Sequence, residues 1–140
     1  MSKLTANDTA AAAVAAGMLR QGRLLHHMTL ILAALALARP VLGRSAYAPC
    51  CWLQAGILTL GLVETWFAAR AALDADLFGW LSSSGEGLKT FDEAMQRLGL
   101  AKAGKNTRSL EQRISGATEL LKMQGLFLGL QAIVFLAAYA

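Results

Sequence analysis

The stretch that decides the fold is residues 50–73, CCWLQAGILTLGLVETWFAARAAL. It is an apolar run that contains Glu64 and carries Arg70 close to its end. As a helix it would extend about 36 Å, enough to cross the roughly 30 Å hydrocarbon core of a bilayer. Because lipid cannot satisfy backbone hydrogen bonds, a run of this kind predicts a membrane-spanning helix. Pro49 precedes it and suits the first turn, where its missing N–H costs nothing.

Two further apolar runs flank this one, residues 24–42 (LLHHMTLILAALALARPVL) and residues 123–140 (MQGLFLGLQAIVFLAAYA). The whole chain of 140 residues is 56% hydrophobic and 16% charged. Soluble domains average about 45–50% apolar and about 25% charged residues, so this composition argues against a water-soluble enzyme. We therefore expect an all-α membrane protein with three transmembrane helices.

The charged residues indicate an orientation. Three basic residues precede the first run, two (Arg39 and Arg44) lie in the turn at residues 39–49, and seven lie in segment 74–122. Since basic flanks are retained in the cytoplasm, we expect a multi-pass protein of the inner membrane, with a cytoplasmic N-terminus and a C-terminus at the outer face. The seven bases of segment 74–122 are balanced by seven acids, which excludes an electrostatic footprint for nucleic acid.

Two regions lie outside the three runs. Residues 1–23 contain an alanine-rich stretch that predicts a helix capped by Asp8 or Thr9, either lying at the inner surface or extending the first span. Residues 74–122 predict a loop over 82–87 and then a cytoplasmic amphipathic helical hairpin. We expect the apolar stripes of this hairpin to form a partner-binding face. The stripes are Leu88, Phe91, Met95 and Leu98, followed by Leu110, Ile114, Ala117 and Leu121.

Ionisable residues within or beside the spans are the candidates for chemistry, because such groups are costly in lipid. Glu64 lies about 21 Å along its helix, and an antiparallel pair of spans would bring Arg70, His26 and His27 near the same inner boundary. A carboxylate and an imidazole at that depth can relay a proton or hold a cation. The alternative is a structural role, in which Glu64 pairs with Arg70, a histidine or a partner subunit.

No motif in the sequence indicates an enzyme, a metal site or a cofactor. Adjacent residues of a helix point about 100° apart, so His26 and His27 cannot both face one metal ion. Cys50 and Cys51 lack CxxC spacing, and no phosphate-binding loop or dinucleotide fingerprint is present. We therefore expect no catalytic residue and no bound cofactor.

Small and amide side chains in the spans indicate close helix packing. Gln54 and Gln131 can hydrogen-bond between helices. The small-residue positions are the GxxxG pair Gly125 and Gly129 in the third run, and Gly61, Thr65 and Ala68 on one face of the second.

These features predict a small non-enzymatic accessory or scaffold subunit of a larger inner-membrane complex, in contact with lipid and with other subunits or copies of itself. One alternative is a self-assembling holin-like pore or channel. Another is a transporter or enzyme subunit that uses Glu64. An immunity protein against a membrane-active toxin would show a similar sequence.

Overall fold

A computed structural model describes residues 5–41, 51–84, 93, 97 and 109–139 of the chain. All regular structure in these ranges is helical, with no strand, which confirms the predicted all-α class. The helices are α1 (Ala6–Arg20), α2 (Gly22–Val41), α3 (Cys51–Ser84) and α4 (Leu110–Tyr139).

Helices α1 and α2 follow one another with only Gln21 between them, so the N-terminal helix extends the first apolar run. Helix α1 begins at a capping box. The Thr5 hydroxyl accepts from the Asp8 backbone N–H at 3.2 Å, and the Asp8 carboxylate accepts from the Thr5 backbone N–H at 3.2 Å. The expected cap at Asp8 or Thr9 was therefore wrong, because Asp8 acts at the third helical position, where its charge faces the unpaired N–H groups of the first turn.

Helix α3 runs antiparallel to α2. The Gln54 side chain near the start of α3 donates to the Ala36 carbonyl near the end of α2, at 3.2 Å. Farther along α3, Glu64 lies beside His26 near the start of α2. The second half of α3 then packs on α1, and α3 also has extensive contact with α4.

Helix α4 runs parallel to the α1–α2 pair and antiparallel to α3. Its side chains Gln124 and Gln131 reach the backbone of Gly22 and Thr29 respectively, so residue numbers rise together along both helices. The described helices therefore form a bundle of three legs, which are α1–α2, α3 and α4. A parallel pair of rings, Phe67 and Phe127, stacks between α3 and α4 at a centroid distance of 5.4 Å.

The bundle has two halves of opposite character. We call residues 6–22, 71–84 and 110–121 the basal half, and residues 23–41, 51–70 and 122–139 the apical half. The basal half has an ordinary apolar core in which small side chains let α1 approach α3 closely. Its buried members are Ala12, Ala15, Ala16, Leu19, Ala71, Ala75, Phe78, Leu81, Leu110 and Ala117.

Two predictions for segment 74–122 need correction here. The stripe on α4 is used inside the chain, since Leu110 is buried in the basal core and Ile114 and Leu121 pack against it. It is therefore not a free partner-binding face. The expected loop over 82–87 also begins too early, because α3 continues to Ser84. The predicted stripe Leu88, Phe91, Met95 and Leu98 lies outside the described residues.

The apical half reverses the usual distribution of side chains. Its buried set includes polar residues, while large apolar residues cover its outside. The buried polar residues are Thr29, Glu64, Gln124 and Gln131. The exposed apolar residues include Leu24, Met28, Leu30, Ile31, Leu35, Leu37, Trp52, Leu62, Trp66, Leu126, Leu130, Ile133 and Leu136.

Two of the described helices are long and apolar enough to cross a membrane. They are Trp52–Ser84, with a mean hydropathy of 1.3, and Leu110–Ala138, with a mean hydropathy of 1.7. Only 22% and 11% of the most apolar 18-residue stretch of each helix, respectively, are buried inside the chain. A core helix of a soluble protein would be mostly buried, so this exposure favours contact with lipid.

Candidate functional site

The candidate site is built around Glu64, which is 0% exposed. One carboxylate oxygen, Oε2, lies 3.1 Å from Nδ1 of His26 on α2. The other, Oε1, accepts a hydrogen bond of 2.7 Å from Nε2 of Gln124 on α4. Both oxygens of a carboxylate buried among three helices thus have a polar partner, as the high cost of burying an unpaired charge requires.

Gln124 ties the three legs together at this level. Its amide nitrogen donates to Glu64 on α3 and also to the Gly22 carbonyl at the start of α2, at 2.7 Å. A Cβ on Gly22 would lie 2.8 Å from Gln124 Oε1, so the absence of a side chain there permits the close approach. The α1–α2 junction is therefore positioned by a side chain 102 residues away.

A second polar layer lies seven residues farther along α4. Gln131 donates to the Ile57 carbonyl on α3 at 3.2 Å and to the Thr29 carbonyl on α2 at 3.4 Å. A Cβ on Gly61 would lie 2.9 Å from the same amide nitrogen. Gln54 makes a third interhelical contact with Ala36, so amide side chains join the legs at three levels of the apical half.

Three buried polar atoms in these layers have no partner within the described part of the chain: Thr29 Oγ1, Gln124 Oε1 and Gln131 Oε1. An unpaired buried acceptor costs about 1–3 kcal/mol. The amide nitrogen of each glutamine therefore donates two hydrogen bonds, while its amide oxygen accepts none from the described residues.

The structure brings together only part of the predicted ionisable cluster. His26 is beside Glu64, but Arg70 is exposed on α3 and lies six residues from Glu64, about 9 Å along the axis. His27 points elsewhere, with its Nδ1 donating to the Arg23 carbonyl at 2.6 Å. Sequence reasoning missed Gln124, whose spacing of seven residues from Gln131 places both amides on one face of α4.

Of the predicted small-residue positions, some lie at contacts between helices and others do not. Gly61 is at a close helix contact, and Thr65 donates its hydroxyl to the Gly61 carbonyl at 2.8 Å. Ala68 lines a cavity. The GxxxG pair behaves differently, since a Cβ on Gly125 or Gly129 would meet nothing within 4 Å. Within the described part of the chain that motif faces outward, because the buried face of α4 is the one that carries the glutamines.

A cavity of about 170 Å³ opens beside the Glu64 site, between α3 and the α1–α2 junction. Leu19, Arg23 and His26 line it from one side, and Thr65 with three alanines lines it from α3. His26 is thus the residue that lies between the buried carboxylate and the cavity. The imidazole is therefore the polar group that borders both the cavity and the enclosed Glu64 carboxylate.

The polar groups of this site are arranged for hydrogen bonding between the helices. In the described ranges, no three histidine, cysteine or acidic side chains are grouped so as to hold a metal ion. Cys50 and the side chain of Cys51 lie outside the part of the chain that the structure describes. Comparison of the chain with protein-family models, curated proteins and solved structures finds no match. The function must therefore be argued from the arrangement of these residues.

Proposed function

We propose that the chain is a three-span integral membrane protein that acts as a non-enzymatic accessory or scaffold subunit of a larger inner-membrane complex. The observation that carries the membrane placement is the reversed burial of the apical half, with Glu64, Gln124, Gln131 and Thr29 inside and leucines outside. Such an arrangement is stable in lipid, where apolar side chains need no cover and polar groups must find partners within the bundle.

The register of the legs supports three spans of equal depth. Residues 23–41, 52–70 and 122–139 each cover about 26–27 Å, close to the roughly 30 Å hydrocarbon thickness. The hydrogen bonds of Gln124 to Gly22 and Glu64 bring Arg23, Arg70 and Lys122 to the same end of these segments. Three basic residues at one end favour the cytoplasmic side for the basal half.

The basal half provides the reason to propose a protein partner. It extends beyond the spans into water, yet Val14, Met18 and Leu73 are 63%, 46% and 65% exposed there. Val14 and Met18 are one helical turn apart on α1 and form a continuous apolar strip. Lipid does not cover side chains outside the bilayer, so contact with another protein is the economical explanation for such a strip.

The experiment is purification of the tagged chain in mild detergent, with mass spectrometry of whatever accompanies it. Val14→Glu together with Met18→Glu should remove at least one stoichiometric membrane-protein partner while the abundance of the chain is unchanged. Ala13→Glu is the matched control, because Ala13 is exposed on the same helix but points about 100° away from Val14. If the Val14/Met18 variant keeps every partner, the proposal of a scaffold role through α1 is wrong.

A second candidate function, a proton-handling subunit, is favoured by one observation. Glu64 is enclosed, and His26 links it to an open cavity. In that case Glu64→Gln would abolish the activity of the assembly while leaving its composition and abundance unchanged. Loss of abundance without a selective loss of activity would instead favour the structural role.

A further inference from the structure

We propose that the cavity between α3 and the α1–α2 junction binds an anionic phospholipid, with the Arg23 guanidinium on the phosphate. The cavity holds about 170 Å³. The proposal rests on the membrane placement of the proposed function, and the occupant is a lipid of the surrounding bilayer.

The position of the cavity matches the level of lipid headgroups. It spans the level at which the apical half meets the basal half, because it extends from Leu19 and Ala72 on the basal side to His26 and Thr65 on the apical side. A lipid bound there would have its phosphate near the boundary between the basal and apical halves. The first methylene groups of its acyl chains would be directed into the apical half. Basic pockets between spans on the cytoplasmic side are known positions for anionic headgroups.

The charge of the lining is complementary to a phosphate. Among the described residues that form the cavity wall, Arg23 and His26 are the ionisable ones, and no acid is present. Glu64 lies behind His26, where it is buried and bonded to Gln124. Arg23 is exposed, so its planar guanidinium can form paired hydrogen bonds with phosphate oxygens.

The rest of the wall is apolar and small. Leu19, Ala69 and Ala72 contribute no polar side-chain group, and the hydroxyl of Thr65 already donates to the Gly61 carbonyl. Pockets for whole small molecules have volumes of about 300–1,000 Å³, so this cavity is too small for most of them. It suits part of a longer molecule, the remainder of which continues into the bilayer.

The test is native mass spectrometry of the intact chain in mild detergent, titrated with phosphatidylglycerol or phosphatidylcholine. We expect preferential retention of one phosphatidylglycerol. Arg23→Gln should weaken this retention about fivefold, the usual effect of removing one cation from a lipid-facing site. Ala69→Leu, which fills the cavity without changing the charge, should weaken it as well. Arg97→Gln is the control, because Arg97 is exposed and does not line the cavity.

Several outcomes would overturn the inference. One is equal retention of the two lipids by the parent chain. The others are an Arg23→Gln variant that retains phosphatidylglycerol like the parent, or an Arg97→Gln variant that loses as much phosphatidylglycerol as Arg23→Gln does. If inorganic phosphate alone displaced the lipid, the proposal that the cavity also binds the start of the acyl chain would be overturned. Flotation of the protein with lipid vesicles keeps the two proposals apart: failure to float contradicts the membrane placement, whereas flotation without lipid preference contradicts only the lipid site.

Discussion

At the scale of single residues, the buried carboxylate of Glu64 is tolerated because two neighbouring helices supply partners for it. His26 and Gln124 approach one oxygen each, at 3.1 Å and 2.7 Å. Gln131 has the same residue type and the same burial, but its donors end on the backbone carbonyls of Thr29 and Ile57. Those carbonyls belong to helices and keep their own backbone partners if the amide is removed.

This difference gives a matched pair of substitutions. Gln124→Leu strands one oxygen of a buried carboxylate and should lower the free energy of unfolding by about 2 kcal/mol or more. Gln131→Leu removes the unpaired amide oxygen together with the amide N–H donors, so we expect the free energy of unfolding to change by no more than about 1 kcal/mol. Unfolding in detergent, followed by circular dichroism, measures both. Equal losses would show that Gln124 does not support Glu64.

At the scale of helices, two glycines leave the space that a glutamine amide of another helix occupies. Gly61 on α3 leaves room for the Gln131 side chain of α4, and Gly22 leaves room for Gln124. The glycines of the GxxxG pair contact no side chain of another leg. The GxxxG motif of α4 therefore lies on a different face from the glutamine face that packs against the other helices.

Alanine substitution distinguishes the two kinds of glycine. In Gly61→Ala the new methyl would lie 2.9 Å from Gln131 Nε2, so the amide must leave its carbonyl partners while it remains buried. We expect a loss of about 1 kcal/mol in unfolding free energy. Gly129→Ala meets nothing and should be neutral or stabilising by about 0.5–1 kcal/mol, because alanine favours a helix. The same detergent unfolding assay applies, and a destabilised Gly129→Ala would indicate that this face is covered by another chain.

At the scale of the whole molecule, two cores of opposite polarity share one bundle. The basal core of alanines, Leu19 and Phe78 is stabilised by removal of apolar surface from water. The apical core of Glu64 and the glutamines is joined by hydrogen bonds, which would have no competition from solvent under the proposed placement in lipid. Under the proposed membrane placement, the level at which the apolar core gives way to the polar core is where the bundle would pass from water into lipid.

The proposed topology makes a prediction about the two ends of the chain. A fluorescent protein fused before Met1 should fluoresce, since it folds in the cytoplasm, and a periplasmic phosphatase fused after Ala140 should be active. The exchanged fusions, which serve as controls, should both be inactive. Both ends on one side of the membrane would contradict three spans.

The sequence by itself determined the helical class and the apolar runs. Both depend on local composition: runs such as residues 50–73 are apolar over a bilayer's length, and a single chain segment in lipid can satisfy its backbone only as a helix. The predicted pairing of Gln54 and Gln131 with other helices also needed only their residue type and their place inside apolar runs.

Only the tertiary structure decided which side chains meet. Glu64 takes Gln124 as a partner across 60 residues, and no local pattern records the register of two helices that distant. The same holds for the use of Gly61 rather than Gly129 at a helix contact, and for the burial of Leu110 within the chain. The physical reason is that a helix can present several faces, and only the packing of all three legs selects the face that turns inward.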